Sequence, residues 1–215
     1  MRRIILALAL AFAAPALANA QDADPAARQL IETSGAQGVF EPADSENGFA
    51  VRHIGSGLVC HFYAPEAGRL VLYANAPRGD DVSCETRADG ETTSLYATRY
   101  PEGTNLREQL GGAVAAIRHR FPDARQHQPE LSVDAEGLPQ RAEAAFTITI
   151  DGQRYFTGVS VALAGEWVIK VRYTATAPDD ETLRQRELMA GVLMIGALLE
   201  VAPPAAQEPA GASPL

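Results

Sequence analysis

Three features of this 215-residue chain predict an α+β fold. Residues 140–177 alternate apolar and polar positions in three segments joined by tight-turn signals, the pattern of an antiparallel meander. Two long segments, 103–123 and 177–204, have the apolar spacing or content of helices. A series of short strand candidates separated by turn chemistry precedes the first of them. The expected architecture is a twisted antiparallel β-sheet covered by two main helices, in the manner of an α/β/α sandwich.

The chain opens with MRRIILALALAFAAPALANA. Arg2 and Arg3 precede an apolar run from Ile4 to Ala14, and Ala18-Asn19-Ala20 satisfies the small-x-small rule. Residues 1–20 are therefore expected to be a signal peptide cut before Gln21. The run is shorter than the roughly 20 residues that span a bilayer; an uncleaved anchor is the alternative. A single α+β domain is expected over 21–201, and a disordered Pro/Ala-rich tail over 202–215.

Asp24, Pro25 and Gly35 bracket a short first helix. Strand candidates follow at 38–41, 49–54, 58–63, 69–74 and 81–86, with SENG, GSG, PEAG and APRGD as the turns between them. TTSLYATRYP reads as a further strand, ended by Pro101. In 103–123, Leu106, Leu110, Val114, Ile117 and Phe121 draw one apolar stripe, Asn105 and Glu108 form a capping box, and Pro122 stops the helix. Gly111-Gly112 in its middle costs about 1 kcal/mol per glycine relative to alanine. Either something packs closely there or the helix is weak there.

In the meander, Phe146, Ile148 and Ile150 alternate with threonines, and Asp151-Gly152 is a strong hairpin signal. Val159, Val161 and Leu163 form the next apolar set, Ala164-Gly165 turns, and Trp167, Ile169, Val171 and Tyr173 alternate with Lys170, Arg172 and Thr174. One sheet face is expected to be apolar and the other wet. Asp179, Asp180 and Glu181 favour the start of the closing helix through its dipole. From Leu188 to Val201 that helix is apolar on nearly every side. This predicts burial between the sheet and other elements, with a docking surface as the alternative.

The only two cysteines, Cys60 and Cys84, are predicted to form a structural disulfide. Export places them in an oxidising compartment, where two thiols pair. Alternation in GLVCHFY puts Leu58, Cys60 and Phe62 on one, inward face and Val59, His61 and Tyr63 on the other. Closing a loop of about 25 residues is worth roughly 3.5 kcal/mol on the chain-entropy account. A redox pair wants Cys-x-x-Cys, and this spacing lacks it. A zinc site from Cys60, Cys84, His53 and His61 is opposed by the alternation that separates Cys60 from His61.

The net charge is −9, and loss of Arg2 and Arg3 with the leader makes the mature chain more acidic. Such a charge opposes binding to nucleic acid or anionic lipid over most of the surface. The sequence contains no nucleophile elbow, no P-loop and no His-Glu-x-x-His, so it yields no catalytic set, no metal ligands and no cofactor. Asp80-Asp81 and Asp179-Asp180 stand where turns and helix starts use carboxylates, and Arg78-Gly79-Asp80 makes a turn. His119 falls at a helix C-terminus, where positive charge is favoured. Arg118, His119, Arg120, Arg125 and His127 form a local basic patch on an acidic molecule. It can receive a phosphate, a carboxylate or a partner's acidic loop; dipole complementation and solubility are the plainer reading.

The closing order is a meander, the aromatic-led strand EWVIKVRYTATA, the acidic PDDE and one terminal apolar helix. This layout resembles the end of the PsbP-like family of small secreted α/β/α proteins, best over residues 140–200. The resemblance implies an antiparallel sheet covered by helices and an accessory or binding role. Many such proteins carry a lipid anchor, whereas no lipid-attachment cysteine stands near the expected cut in this chain.

These readings point to a periplasmic or secreted protein with no transmembrane segment after signal cleavage. Its expected role is a non-catalytic accessory or ligand-binding module with a protein or small-molecule partner in the cell envelope. Two alternatives stand beside it. One is a secreted hydrolase with a dispersed site including His53 or His61. The other is an interaction protein using the apolar closing helix, signalled by exposure of Leu193, Ile195 or Leu198.

Overall fold

The computed structural model describes residues 24–64, 67–100, 103–128 and 136–201. The expected signal peptide and the Pro/Ala-rich tail lie outside these residues. Asp24 accepts a 2.7 Å hydrogen bond from the Ala26 amide and starts α1 (Pro25–Thr33), and Gly35 takes the left-handed conformation that ends it. β1 (Phe40–Ala43), β2 (Phe49–His53) and β3 (Val59–Phe62) form a three-stranded antiparallel sheet in that order. A second sheet begins with β4 (Gly68–Leu72), β5 (Asp81–Ala88) and β6 (Glu91–Arg99). α2 (Leu106–Arg120) follows, and then β7 (Arg125–His127), β8 (Arg141–Ile150), β9 (Gln153–Ala164), β10 (Trp167–Thr176) and α3 (Asp180–Val201). The second sheet has seven antiparallel strands in the order β4-β5-β6-β10-β9-β8-β7, so β10 returns to pair with β6 at its centre.

Local chemistry accounts for many of these boundaries. Asn105 accepts from the Glu108 amide at 2.9 Å at the start of α2, and Asp179 accepts from the Thr182 amide at 2.7 Å at the start of α3. Asp151-Gly152 closes the β8–β9 hairpin with both residues at positive φ, 51° and 77°. Asp89-Gly90 closes β5–β6 in the same way, at 48° and 78°. That second hairpin signal is also plain in the sequence, though it was not among the turns expected there. β7, a three-residue strand paired to β8, was likewise not expected.

Cys60 on β3 and Cys84 on β5 are joined, with their Cα atoms 6.4 Å apart. The predicted disulfide therefore ties the small sheet to the large one. Both cysteines are buried with Leu58, Phe62, Leu70 and Val82, the inward face that alternation predicts for β3.

The pleat sorts the large sheet into two sides. Phe146, Val159, Val161 and Val168 face α2, where Ile117 is buried against them. Val82, Ala97, Ala162, Ile169 and Val171 face the opposite side, which is filled by α3, the small sheet and α1. The expectation of one sheet covered by two main helices is thus corrected: the described residues form two antiparallel sheets and three helices, and the small sheet does part of the covering. The expectation of one wet face is corrected with it. β9 is buried on both faces from Phe156 to Ala162, and on the α2 side the polar surface lies over the half of the sheet, toward β5 and β6, that the helix does not reach.

α3 lies close over β9 because small residues meet there. A Cβ built on Gly158 would stand 2.7 Å from the Phe156 ring and 3.6 Å from Ala190 Cβ. Glu187, Gly191, Met194, Ala197 and Leu198 form its inward side. The expected all-round burial of α3 is corrected: Leu188, Met189, Val192 and Leu199 are 42–61% exposed. A helix laid on a sheet buries one side only. Leu198 is fully buried and Leu193 packs against the core, so the apolar exposure falls elsewhere on the helix than at those two positions.

Candidate functional site

The five residues of the basic patch are neighbours in sequence, but the pleat of β7 divides them. Gln126 pairs with Phe146, on the side of α2, and accepts a 2.8 Å hydrogen bond from Arg118. Arg125 and His127 pair with Thr147 and Ala145 and so face the side of α3. There they line a cleft of about 320 Å³ with Arg154, Arg184, Asp180 and Glu187. Two of its four basic groups are paired: His127 Nε2 donates to the buried Glu187 carboxylate at 2.6 Å, and Arg154 to Asp180 at 2.8 Å, while Arg125 and Arg184 are exposed to solvent. His119 is exposed on α2 and lines neither this cleft nor the next.

Arg120, from the last turn of α2, reaches the uncovered half of the large sheet. Cross-strand pairing sets Glu85, Ser94 and Arg172 in one row of that face, with Ser83, Tyr96 and Lys170 in the next. The third row is Arg87, Thr92 and Thr174. These residues point this way because their apolar neighbours, Val82 and Cys84, Leu95 and Ala97, Ile169 and Val171, point into the core. The resulting cleft, about 270 Å³, is floored by Ser94, Tyr96, Arg172 and Thr174 and flanked by Arg87 and Arg120. Its size suits a small ligand.

The charges of this second cleft are not matched. Among the described residues Glu85 is the only carboxylate lining it, and Arg69 and Arg87 already hold that group, at 2.8 and 3.4 Å. Arg172 is half-buried and has no hydrogen-bond or ion-pair partner among the described residues. Burial foremost, and the Arg120 guanidinium with it, push Arg172 below the usual arginine value, against the opposing pull of Tyr96 and Glu85. Lys170, two residues earlier on the same face, stands 4.1 Å over the Tyr96 ring and also lacks a carboxylate within ion-pair distance among the described residues. Half-buried cations without counter-ions are costly, and an anion entering from solvent relieves that cost.

His53, a candidate for a dispersed hydrolase site, is a core residue. Its Nδ1 accepts from the Ser56 amide at 3.2 Å and from the Ser56 hydroxyl at 2.8 Å, and the Phe40 and Trp167 rings lie 5.3 and 5.1 Å away. Burial lowers its pKa below 6.5, which favours the neutral ring that locks the GSG turn. His61 is exposed, 3.8 Å from Glu200. Neither histidine lines either cleft. Among the described residues no group of three or more His, Cys, Asp or Glu is placed to hold a metal, and no helix is long and apolar enough to cross a membrane.

Sequence reading missed Arg172, Tyr96 and Arg87 as site residues, and Lys170 at the border of the cleft. The readable signal was IKVRYT, which sets two cations on one strand face. That Tyr96 and Arg120 flank them depends on the β6–β10 pairing, which joins segments some seventy residues apart.

No family model and no curated protein sequence matches the chain. Among solved structures it is similar to LpqN, a protein involved in cell envelope biogenesis of Mycobacterium tuberculosis. That match has 15% identity and a TM-score of 0.34, over 63% of this chain and 76% of that one. It is similar to the Ran-binding protein Mog1p of Saccharomyces cerevisiae at 9% identity and a TM-score of 0.41, over 73% and 95%. A third is the immunity protein TplEi of the T6SS from Pseudomonas aeruginosa, at 12% identity and a TM-score of 0.35, over 75% and 69%.

Proposed function

We propose that the protein is an exported accessory module of the cell envelope that binds a small anionic ligand, a carboxylate or a phosphate, in the cleft between β6, β10 and the end of α2. The observation that carries this reading is Arg172, a half-buried guanidinium that lines, with Arg120, a cleft whose one carboxylate among the described residues is already held. A guanidinium presents a planar fork of donors suited to carboxylate and phosphate. The hydroxyls of Ser94, Thr92 and Thr174 supply further donors around it. Of the predicted basic patch, Arg120 belongs to this site. Export is supported by the leader-like opening of the chain and by a buried disulfide between the two sheets. The PsbP-like layout of the last third accords with a binding role.

Calorimetric titration with inorganic pyrophosphate at low ionic strength tests the reading. Saturable binding that weakens with added salt is expected for the wild type. Arg172→Gln should lose it and Arg118→Gln should keep it. Absence of binding by the wild type, or equal binding by Arg172→Gln, would overturn the proposal.

A second reading, an interaction protein, rests on the exposed side of α3, where Leu188, Val192 and Leu199 recur at helical spacing. Cross-linking to an envelope protein that Val192→Glu abolishes would favour it.

A further inference from the structure

Lys170 is the only lysine of the chain; the rest of its 18 Lys and Arg residues are arginines. The distinction matters chemically, because arginine keeps its proton at any ordinary pH and lysine can release it. The one lysine stands where a cation is poorly supported. It is half-buried on the open sheet face, over the ring of Tyr96 and two residues along the strand from Arg172, and so borders the anion cleft that Tyr96 and Arg172 line without itself lining it. Its cross-strand neighbours are Tyr96 on β6 and Val161 on β9, and Ser83 lies beyond Tyr96 on β5. The acid that pulls on it, Asp81, already accepts the Thr98 hydroxyl at 2.9 Å.

We infer that Lys170 is a nucleophilic amine that captures the carbonyl carbon of a small oxo acid whose carboxylate is held by Arg172. The inference rests on the anion-site reading and adds a ligand class to it. In the step, the Nζ lone pair forms a bond to the carbonyl carbon. Both amine protons then leave with the carbonyl oxygen as water, and an imine remains. No oxidant or reductant takes part. Burial foremost, and Arg172 beside it, push the Lys170 pKa below its ordinary 10.5 against the pull of Asp81, which enlarges the free-amine fraction at neutral pH.

The single lysine makes the test direct. The full chain is incubated at neutral pH with glyoxylate and sodium cyanoborohydride, which reduces any imine to a stable secondary amine, and adducts are located by peptide mapping. An adduct on Lys170 is expected, with a yield lowered about tenfold or more in Arg172→Gln. Lys170→Arg should carry no adduct there and keep the wild-type circular dichroism, and acetone, lacking a carboxylate, should label poorly. No adduct on Lys170 in the folded wild type overturns the inference, as does equal yield from Arg172→Gln or from acetone. Pyrophosphate binding without a glyoxylate adduct overturns this inference alone and leaves the anion site standing. An adduct that pyrophosphate does not slow removes Lys170 from that site and overturns the inference as stated.

Discussion

Replacing Gly111 and Gly112 by alanine should stabilise the protein. Both lie in the middle of α2 on its exposed side, neither has a positive φ, and a Cβ added to either meets nothing within 4 Å. Neither close packing nor an unusual backbone therefore calls for glycine, and of the two explanations left open by the sequence, the weak point is the one the structure supports. Alanine is favoured over glycine in a helix interior by about 0.8–1.0 kcal/mol, partly because the unfolded chain loses freedom. Two substitutions with no shared partners give about 1.5–2 kcal/mol together. For a domain of this size that is a rise in Tm of roughly 3–8 °C. Urea unfolding of the disulfide-intact double variant, followed by circular dichroism, should show a higher midpoint at unchanged slope. Ala115→Gly, at another exposed site on the same helix, should move the midpoint the other way. If the double alanine variant were no more stable than wild type while Ala115→Gly behaved as expected, the reading of α2 as an ordinary helix at Gly111-Gly112 would fail.

Three further outcomes follow from the same structure. Cys60→Ala with Cys84→Ala should lower stability by roughly 3.5 kcal/mol, from a separation of 24 residues; a loss below about 1 kcal/mol in urea unfolding would mean that the two sheets hold together without the bridge. His53 has a lowered folded pKa, so the unfolded chain takes up its proton first. The stability it contributes is present above pH 6.5 and is lost as pH falls below it, a slope that His53→Gln should flatten in a pH series of unfolding midpoints. Tyr173 is pushed up to about 12 by burial foremost, and then by Glu91, which accepts its hydroxyl at 2.9 Å. Its contribution is present below pH 10 and lost between pH 10 and 12, at most roughly 2–3 kcal/mol. Glu91→Gln should narrow that window in an ultraviolet titration, and an unchanged tyrosine titration would remove Glu91 as a cause.

The parts of this fold legible in sequence share a short range. Asp24, Asn105 and Asp179 each cap a helix within three residues, and Asp151-Gly152 turns a hairpin within two. The inward face of β3 is legible because alternation is a property of the strand itself. β7 escaped notice because Arg-Gln-His carries no strand propensity, and it exists because β8 offers it a paired edge. The exposed side of α3 escaped notice because composition counts apolar residues without knowing how wide the seat beneath them is. The candidate site escaped for a related reason. Lys170 and Arg172 were read correctly as the polar side of a strand, but what they meet there is set by β5, β6 and the end of α2.

By itself, then, the order of residues determined the helices, most of the strands, most of the hairpin turns and the chemical fitness of Cys60 and Cys84 to pair. Tertiary structure alone decided that the strands divide into two sheets with the disulfide between them, and that the basic patch is split by a pleat. It alone left Arg172 on an open sheet face without a counter-ion among the described residues. Caps and turns are settled by bonds spanning a few residues, whereas the neighbour of a strand is chosen by which arrangement of the whole chain buries the most apolar surface.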